Sequence, residues 1–145
     1  AFLCTAAYFG GTEKWHPRAE LTRAQGLEPM ADGVIDFWLT KDFQAAHPAT
    51  TAAYRRMVVS TRGIGYASCS DALAHWDFRD RLSEITVPVL ALAADQDQST
   101  PPEAVKAIAD GVSGPVEYVE VSPGAHVPTI EVPEQVTKAL VDFFG

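Results

Sequence analysis

Asp97 and His126 are the two side chains in this sequence whose types, order and surroundings fit acyl-transfer chemistry. A histidine draws a proton from a nucleophile efficiently only when an acceptor on its other ring nitrogen fixes the tautomer. A carboxylate one strand away can supply that acceptor. Acid before base is the order of the last two members of a Ser…Asp…His triad. The first member is not among these residues, which contain no Gly-x-Ser-x-Gly, the strained strand-to-helix turn that exposes a serine nucleophile. The chain is therefore expected to carry a base and its orienting acid without the group they activate, and to be inactive alone, because the usual oxyanion donors belong to the same absent part.

Each of these residues has a plainer reading. An Asp in a loop after a strand and before Pro101 often serves as an Asx-turn or helix-cap residue, and Asp95 competes with Asp97 for the role of acid. The Asp-x-x-Thr-Pro spacing favours Asp97, and Gly124 and Ala125 leave room for a tight turn that aims His126. His16, His47 and His75 are scattered without metal-ligand spacing, so neither a metal nor a cofactor is implied. Cys4 and Cys69 read as small buried hydrophobes rather than a disulfide framework, which favours a reducing, cytoplasmic setting.

Hydrophobic period and punctuation divide the chain into three segments that must position these groups. Residues 1–14 hold an apolar strand pattern, Phe2–Ala7, and a Gly10-Gly11 loop that enters the next segment. The strand pattern has no initiator Met or polar lead-in, as expected of a fragment. Residues 15–86 have helical period, with Pro17 suited to a first turn and Gly26 to a helix end. Met30, Val34, Phe37 and Trp38 form one apolar face, and Tyr66, Cys69, Leu73 and Trp76 another, as in a helical cap. Residues 87–145 change period: Val87–Ala94 is a continuous apolar run of the kind buried on both faces of a parallel sheet. A helix opened by Pro101-Pro102, a strand at Val116–Val121, the His126 loop and a last helix around Val136 and Leu140 complete a βαβα rhythm. In such a sheet ligands bind beyond the carboxyl ends of the strands, where both Asp97 and His126 fall.

Composition sets the class. With 47% hydrophobic residues and 10% aromatics, 145 residues can build one core. A net charge of −8 argues against nucleic acid or an anionic membrane surface as partner. No run approaches the roughly 18 apolar residues of a membrane span. The cations are concentrated early: residues 1–86 hold nine Lys/Arg against ten Asp/Glu, whereas residues 87–145 hold two against nine. An anionic substrate group is therefore expected to be met in the helical segment.

The segment Leu92-Ala93-Ala94-Asp95-Gln96-Asp97-Gln98-Ser99-Thr100-Pro101 resembles the acid loop of α/β-hydrolases, and Gly124-Ala125-His126-Val127-Pro128-Thr129-Ile130-Glu131 resembles their histidine loop. Thr5-Ala6-Ala7, Trp15-His16-Pro17-Arg18, Trp38-Leu39-Thr40, Gly65–Cys69 and Asp77-Phe78-Arg79 are similar to the cap of 3-oxoadipate enol-lactonases. Ala94, where that family usually has Gly, and Cys4, where Asn is common, depart from the pattern. The resemblance implies the C-terminal part of an α/β-hydrolase: a short, mainly parallel sheet of about three strands with a helical cap. It makes Asp97 the triad acid and His126 the base, and it puts Trp15, Arg18, Trp38 and Tyr66 in the pocket of a lactone or ester that carries a carboxylate. The implied setting is the protocatechuate branch of aromatic breakdown, the β-ketoadipate pathway. Other hydrolases of the superfamily, dehalogenases and cofactor-free haloperoxidases among them, use the same two loops. A non-catalytic fragment or a ligand-binding relative are the readings outside catalysis. The implied partners are the missing N-terminal half and, through an uncovered strand edge, a second copy of the chain.

Overall fold

Three parallel strands form one sheet in the spatial order β1 (Phe2–Leu3), β2 (Val89–Ala94), β3 (Val116–Val121) in the computed structural model, which describes residues 1–145. All six residues of β2 are buried. Leu90, Leu92 and Ala94 point to a layer that contains Val136 and Ala139, while Val89, Ala91 and Ala93 meet Val105 on the opposite face. A strand covered on both faces has no use for alternation, hence its continuous apolar run. The covering helices are α6 (Pro102–Gly111) and α8 (Pro133–Phe144), with the single turn α7 (Pro128–Glu131) before the latter. Pro102 occupies the first position of α6, where a missing N–H costs nothing.

Register decides where the chemistry sits. Val89 pairs with Val116 and Ala94 with Val121, so β2 and β3 end level with each other. The loops that follow them, Asp95–Pro101 and Ser122–Val127, therefore leave the sheet side by side. Backbone donors help to join them: Gln96 N–H donates to the Gly124 carbonyl at 2.9 Å, and Gly124 N–H to Asp95 Oδ1 at 2.9 Å.

Between β1 and β2 lie five α-helices, α1 (Gly11–Gln25), α2 (Ala31–Trp38), α3 (Lys41–Ala46), α4 (Pro48–Ser60) and α5 (Gly63–Ala74), and two short 3-10 helices at Glu28–Met30 and Arg79–Glu84. The entry and exit of this layer are fastened together, since Tyr8 bridges Asp77 and Phe78 N–H donates to the Ala7 carbonyl at 2.9 Å. Helices α1 and α5 approach closely through small side chains, with Ala19 and Thr22 buried on one and Ala67, Ser70 and Ala74 on the other. A Cβ on Gly63 would fall 2.1 Å from the Thr22 carbonyl oxygen, so only glycine permits that approach. A second core joins Leu27, Ala31, Val34, Ile35 and Leu39 to Val58 of α4. No helix is long and apolar enough to cross a membrane.

Four local expectations are corrected. The first strand stops at Leu3 instead of running to Ala7, because Cys4 takes a left-handed φ of 44° directly after its N–H bonds the Leu92 carbonyl at 2.9 Å. Pro17 lies inside α1 and not in its first turn: the helix begins at Gly11, and the Trp15 indole N–H donates to the Phe9 carbonyl at 2.8 Å, holding this first stretch of helix in place. The inner face of α5 is the small-residue stripe and not Tyr66, Cys69, Leu73 and Trp76. Cys69 is accordingly exposed, as is Trp76. Close helix packing selected small residues, a signal that apolar period does not carry. On α2, Phe37 is exposed, whereas Ile35, outside the expected face, is buried.

β1 has a strand partner on one side only. Beside it an apolar cavity of about 280 Å³ is lined by Phe2, Ala7, Phe9, Trp76, Phe78 and Leu82 among others.

Candidate active site

Asp97 enters the site from a turn made by its own side chain. Its Oδ1 accepts the Ser99 N–H at 2.8 Å and the Thr100 N–H at 3.0 Å, an Asx-turn that folds the loop back before α6. Its Oδ2 is left to face inward, where it accepts the Thr100 hydroxyl at 2.8 Å and lies 2.9 Å from His126 Nδ1. The turn-forming and acid readings of Asp97 are thus both satisfied, one by each oxygen. Thr100 Oγ1 also lies 3.3 Å from His126 Nδ1, closing a triangle of three side chains. The Asp97 side chain is fully buried and that of His126 is 26% exposed, so the acid is sealed off and the base reaches the surface of a cavity.

The electrostatics follow from that burial. Desolvation alone would raise the Asp97 carboxyl, but the hydrogen bond to His126, the Thr100 N–H, the nearby imidazole and the Thr100 hydroxyl together outweigh it and hold the group below the usual carboxylate range. With Asp97 ionised, His126 Nδ1 must bear the hydrogen, which leaves the Nε2 lone pair for a proton in transit. On the inner side stands Cys4, 7% exposed. Burial, and next the charge and hydrogen bond of Asp97, push its thiol up to about 12, so it stays neutral beside the acid. Asp95 serves a different purpose: it accepts from the Ser122 hydroxyl at 2.7 Å and from Gly124 N–H, fastening the two loops.

His126 opens into a cavity of about 190 Å³ whose wall includes Trp15, Arg18, Trp38 and Tyr66, all four of the pocket residues expected from the sequence. Lys14, Val34, Phe37, Gln98 and Ser99 complete it. Arg18 Nη2 donates to the Tyr66 hydroxyl at 3.1 Å, and its guanidinium lies 5.3 Å from the centre of the Trp15 ring. Its Nε is buried and has no acceptor. A buried donor without a partner is costly.

Trp76, by contrast, stacks on Phe78 at the apolar cavity beside β1 and takes no part in this site. The other histidines are equally remote in role: His16 meets His75 edge to face, and His47 lies over Phe43. Thr100, Glu131 and Thr40 were not singled out from the sequence. Thr100 was visible in the Asp-x-x-Thr spacing that closes an Asx-turn, whereas the contact between Thr40 and Glu131 joins residues too far apart in the chain for any local pattern to reveal.

Over 143 residues the chain is 34% identical to 3-oxoadipate enol-lactonase 2 of Acinetobacter baylyi, a match that covers 94% of this chain and 50% of that protein. An enol-lactonase structure from Burkholderia xenovorans superposes with a TM-score of 0.91 at 34% identity, covering 97% of this chain and 54% of that one. The chain belongs to the α/β-hydrolases. A further α/β-hydrolase neighbour is a thermophilic esterase of Thermogutta terrifontis, solved with malate bound, at a TM-score of 0.87 and 27% identity over 97% of this chain and 53% of that one. No protein-family model matches. The α/β-hydrolase chain spans about half the length of the relatives it matches, and it corresponds to their C-terminal half.

Proposed function

We propose that this chain supplies the base, the acid and the substrate cavity of a serine-type hydrolase that opens a carboxylate-bearing enol-lactone, 3-oxoadipate enol-lactone being the best fit. The observation that carries the reading is the convergence of His126, backed by Asp97, with the cationic Arg18 on one small cavity. The likeness to enol-lactonases, and the malate held by an esterase neighbour, support an anionic ester or lactone as ligand class.

In this reading a serine hydroxyl from the nucleophile-bearing half attacks the lactone carbonyl. His126 Nε2 takes its proton, and Asp97 stabilises the imidazolium through Nδ1–H without taking up a proton itself. The proton passes to the departing enol oxygen, the ring opens, and the acyl-serine is released by water that His126 activates in turn. Arg18 pairs with the free carboxylate and sets the orientation of the ring, while Trp15, Trp38 and Tyr66 exclude water. The missing half would seat against the open side of β1 and the apolar cavity beside it. On its own the chain holds no nucleophile and is inactive. The likeness to enol-lactonases supports the protocatechuate branch of aromatic breakdown as the setting.

Steady-state hydrolysis of the enol-lactone by a protein joining this chain to its nucleophile-bearing half tests the reading. Turnover lost in His126→Ala is expected, and turnover that survives it would sink the assignment.

A further inference from the structure

The loop that carries His126 is tied to the helical layer on both sides of the histidine. One residue before it, Ala125 N–H donates to Glu131 Oε2 at 2.7 Å; one residue after it, Val127 N–H donates to the Trp38 carbonyl at 3.1 Å. The other oxygen of Glu131 accepts the Thr40 N–H at 2.8 Å and the Thr40 hydroxyl at 2.7 Å. Thr40 Oγ1 in turn caps α3 by accepting the Phe43 N–H at 3.2 Å. One carboxylate therefore joins the end of α2, the start of α3 and the histidine loop, and no cation balances it.

A carboxylate suits that junction better than any neutral side chain. Three donors converge on its two oxygens, and an amide would turn an N–H toward one of them. Hydrogen bonds to an ionised acceptor are also about twice as strong as neutral ones. The same stretch of α2 that it anchors presents Val34, Phe37 and Trp38 to the cavity beside His126. A ligand pressed against Trp38 thus bears on the backbone that holds Val127.

We propose that Glu131 is a positioning residue, a clamp that makes the cavity wall and the His126 loop move as one body, so that a ligand seated against α2 also fixes the height of the imidazole. The proposal rests on the reading of His126 as the base. Asp95 provides the contrast: it holds Gly124 and Ser122 to the acid loop and makes no bond to the helical layer.

Hydrogen–deuterium exchange of the 145-residue chain tests the clamp without any need for turnover. Glu131→Gln should speed exchange about tenfold, the worth of one charge-assisted hydrogen bond, in Leu39–Phe43 and Gly124–Val127 together, and leave Val89–Ala94 as slow as in the wild type. It should also raise the carbethoxylation rate of His126 severalfold at fixed pH, with Glu131→Asp falling between the two. Asp95→Asn should loosen Gly124–Val127 but not Leu39–Phe43. Should Glu131→Gln open the sheet as well, Thr40→Val must still speed Gly124–Val127 and the modification of His126, although the Thr40 hydroxyl makes no hydrogen bond to either. Acceleration of one segment alone, or of both with His126 modification unchanged, would overturn the clamp. A whole protein that does not hydrolyse lactones would overturn the catalytic reading and leave the exchange result standing.

Discussion

Asp97 Oδ2 lies 2.9 Å from His126 Nδ1, while Asp97 Oδ1 is held by the N–H groups of Ser99 and Thr100, so the acid is oriented by its own loop before it meets the base. Asparagine at this position would keep the turn but let the wrong tautomer of His126 form. In the nucleophile-bearing protein Asp97→Asn is expected to lower kcat by about 10³–10⁴-fold with the fold intact. Asp95→Asn should leave kcat within a few-fold and act mainly on stability. Kinetics beside circular dichroism for both variants check this, and the reverse ranking would mean that the other carboxylate is the acid.

The expectation of Asp97 and His126 as neighbours came from period and order: two buried strands that end in short loops bring their ends together when they pair in parallel. The pocket residues came from a resemblance, and the structure does place Trp15, Arg18, Trp38 and Tyr66 around one cavity with His126. The extent of the first strand and the inner face of α5 were not legible. The left-handed turn at Cys4 and the small-residue contact between α1 and α5 depend on neighbours remote in the chain. Tertiary contact overrides local pattern at such places.

Arg18 lines the cavity that His126 opens into, with its guanidinium held by the Tyr66 hydroxyl and lying beside Trp15. Arg18→Met should raise KM for a carboxylate-bearing lactone by about 10- to 100-fold, the range expected when a charged hydrogen bond is lost, and barely change that of a neutral ester of similar size. Parallel kinetics on the two substrates decide the matter. Equal losses would assign Arg18 to support of Tyr66 and Trp15 only.

The depressed carboxyl of Asp97 has a stability consequence of definite sign. Its folded pKa lies below the unfolded value of about 3.9, so its contribution is fully present above that value and is lost as pH falls through the folded one. Urea midpoints should therefore hold from about pH 7 to 5 and decline below about pH 4. Asp36, Asp77 and Glu84 are also lowered, by Lys41, Arg79 and Arg81 respectively, but those pairs are exposed and screened. The decline should accordingly persist at high salt and flatten in Asp97→Asn, whereas a decline abolished by salt alone would assign it to the surface pairs.

The two thiols should differ sharply in reactivity. Cys69 is exposed, whereas Cys4 is buried with its thiol pushed up to about 12. Because the thiolate is the reactive form, one equivalent of Ellman's reagent should react quickly at neutral pH and the second only on denaturation. Cys69→Ser should abolish the fast phase, and a fast phase that remains would mean that Cys4 is accessible.

The same edge that would receive a nucleophile-bearing half is expected to make the 145-residue chain associate with itself. β1 is two residues long and pairs only with β2, so its other side presents free backbone groups. Beside it lie Phe2, Phe9 and Trp76 around an apolar cavity of about 280 Å³, with Trp76 47% exposed. A second copy that covers this patch removes the same surface from water as the missing half would, and nothing charged lies among the lining residues to prevent it. Sedimentation velocity should therefore show dimers or larger species at tens of micromolar. Phe9→Lys combined with Trp76→Glu should shift the population toward monomer, and adding the nucleophile-bearing half should compete with self-association. A wild-type chain that stays monomeric at that concentration would show that the open side of β1 is not sticky enough to recruit a partner by itself.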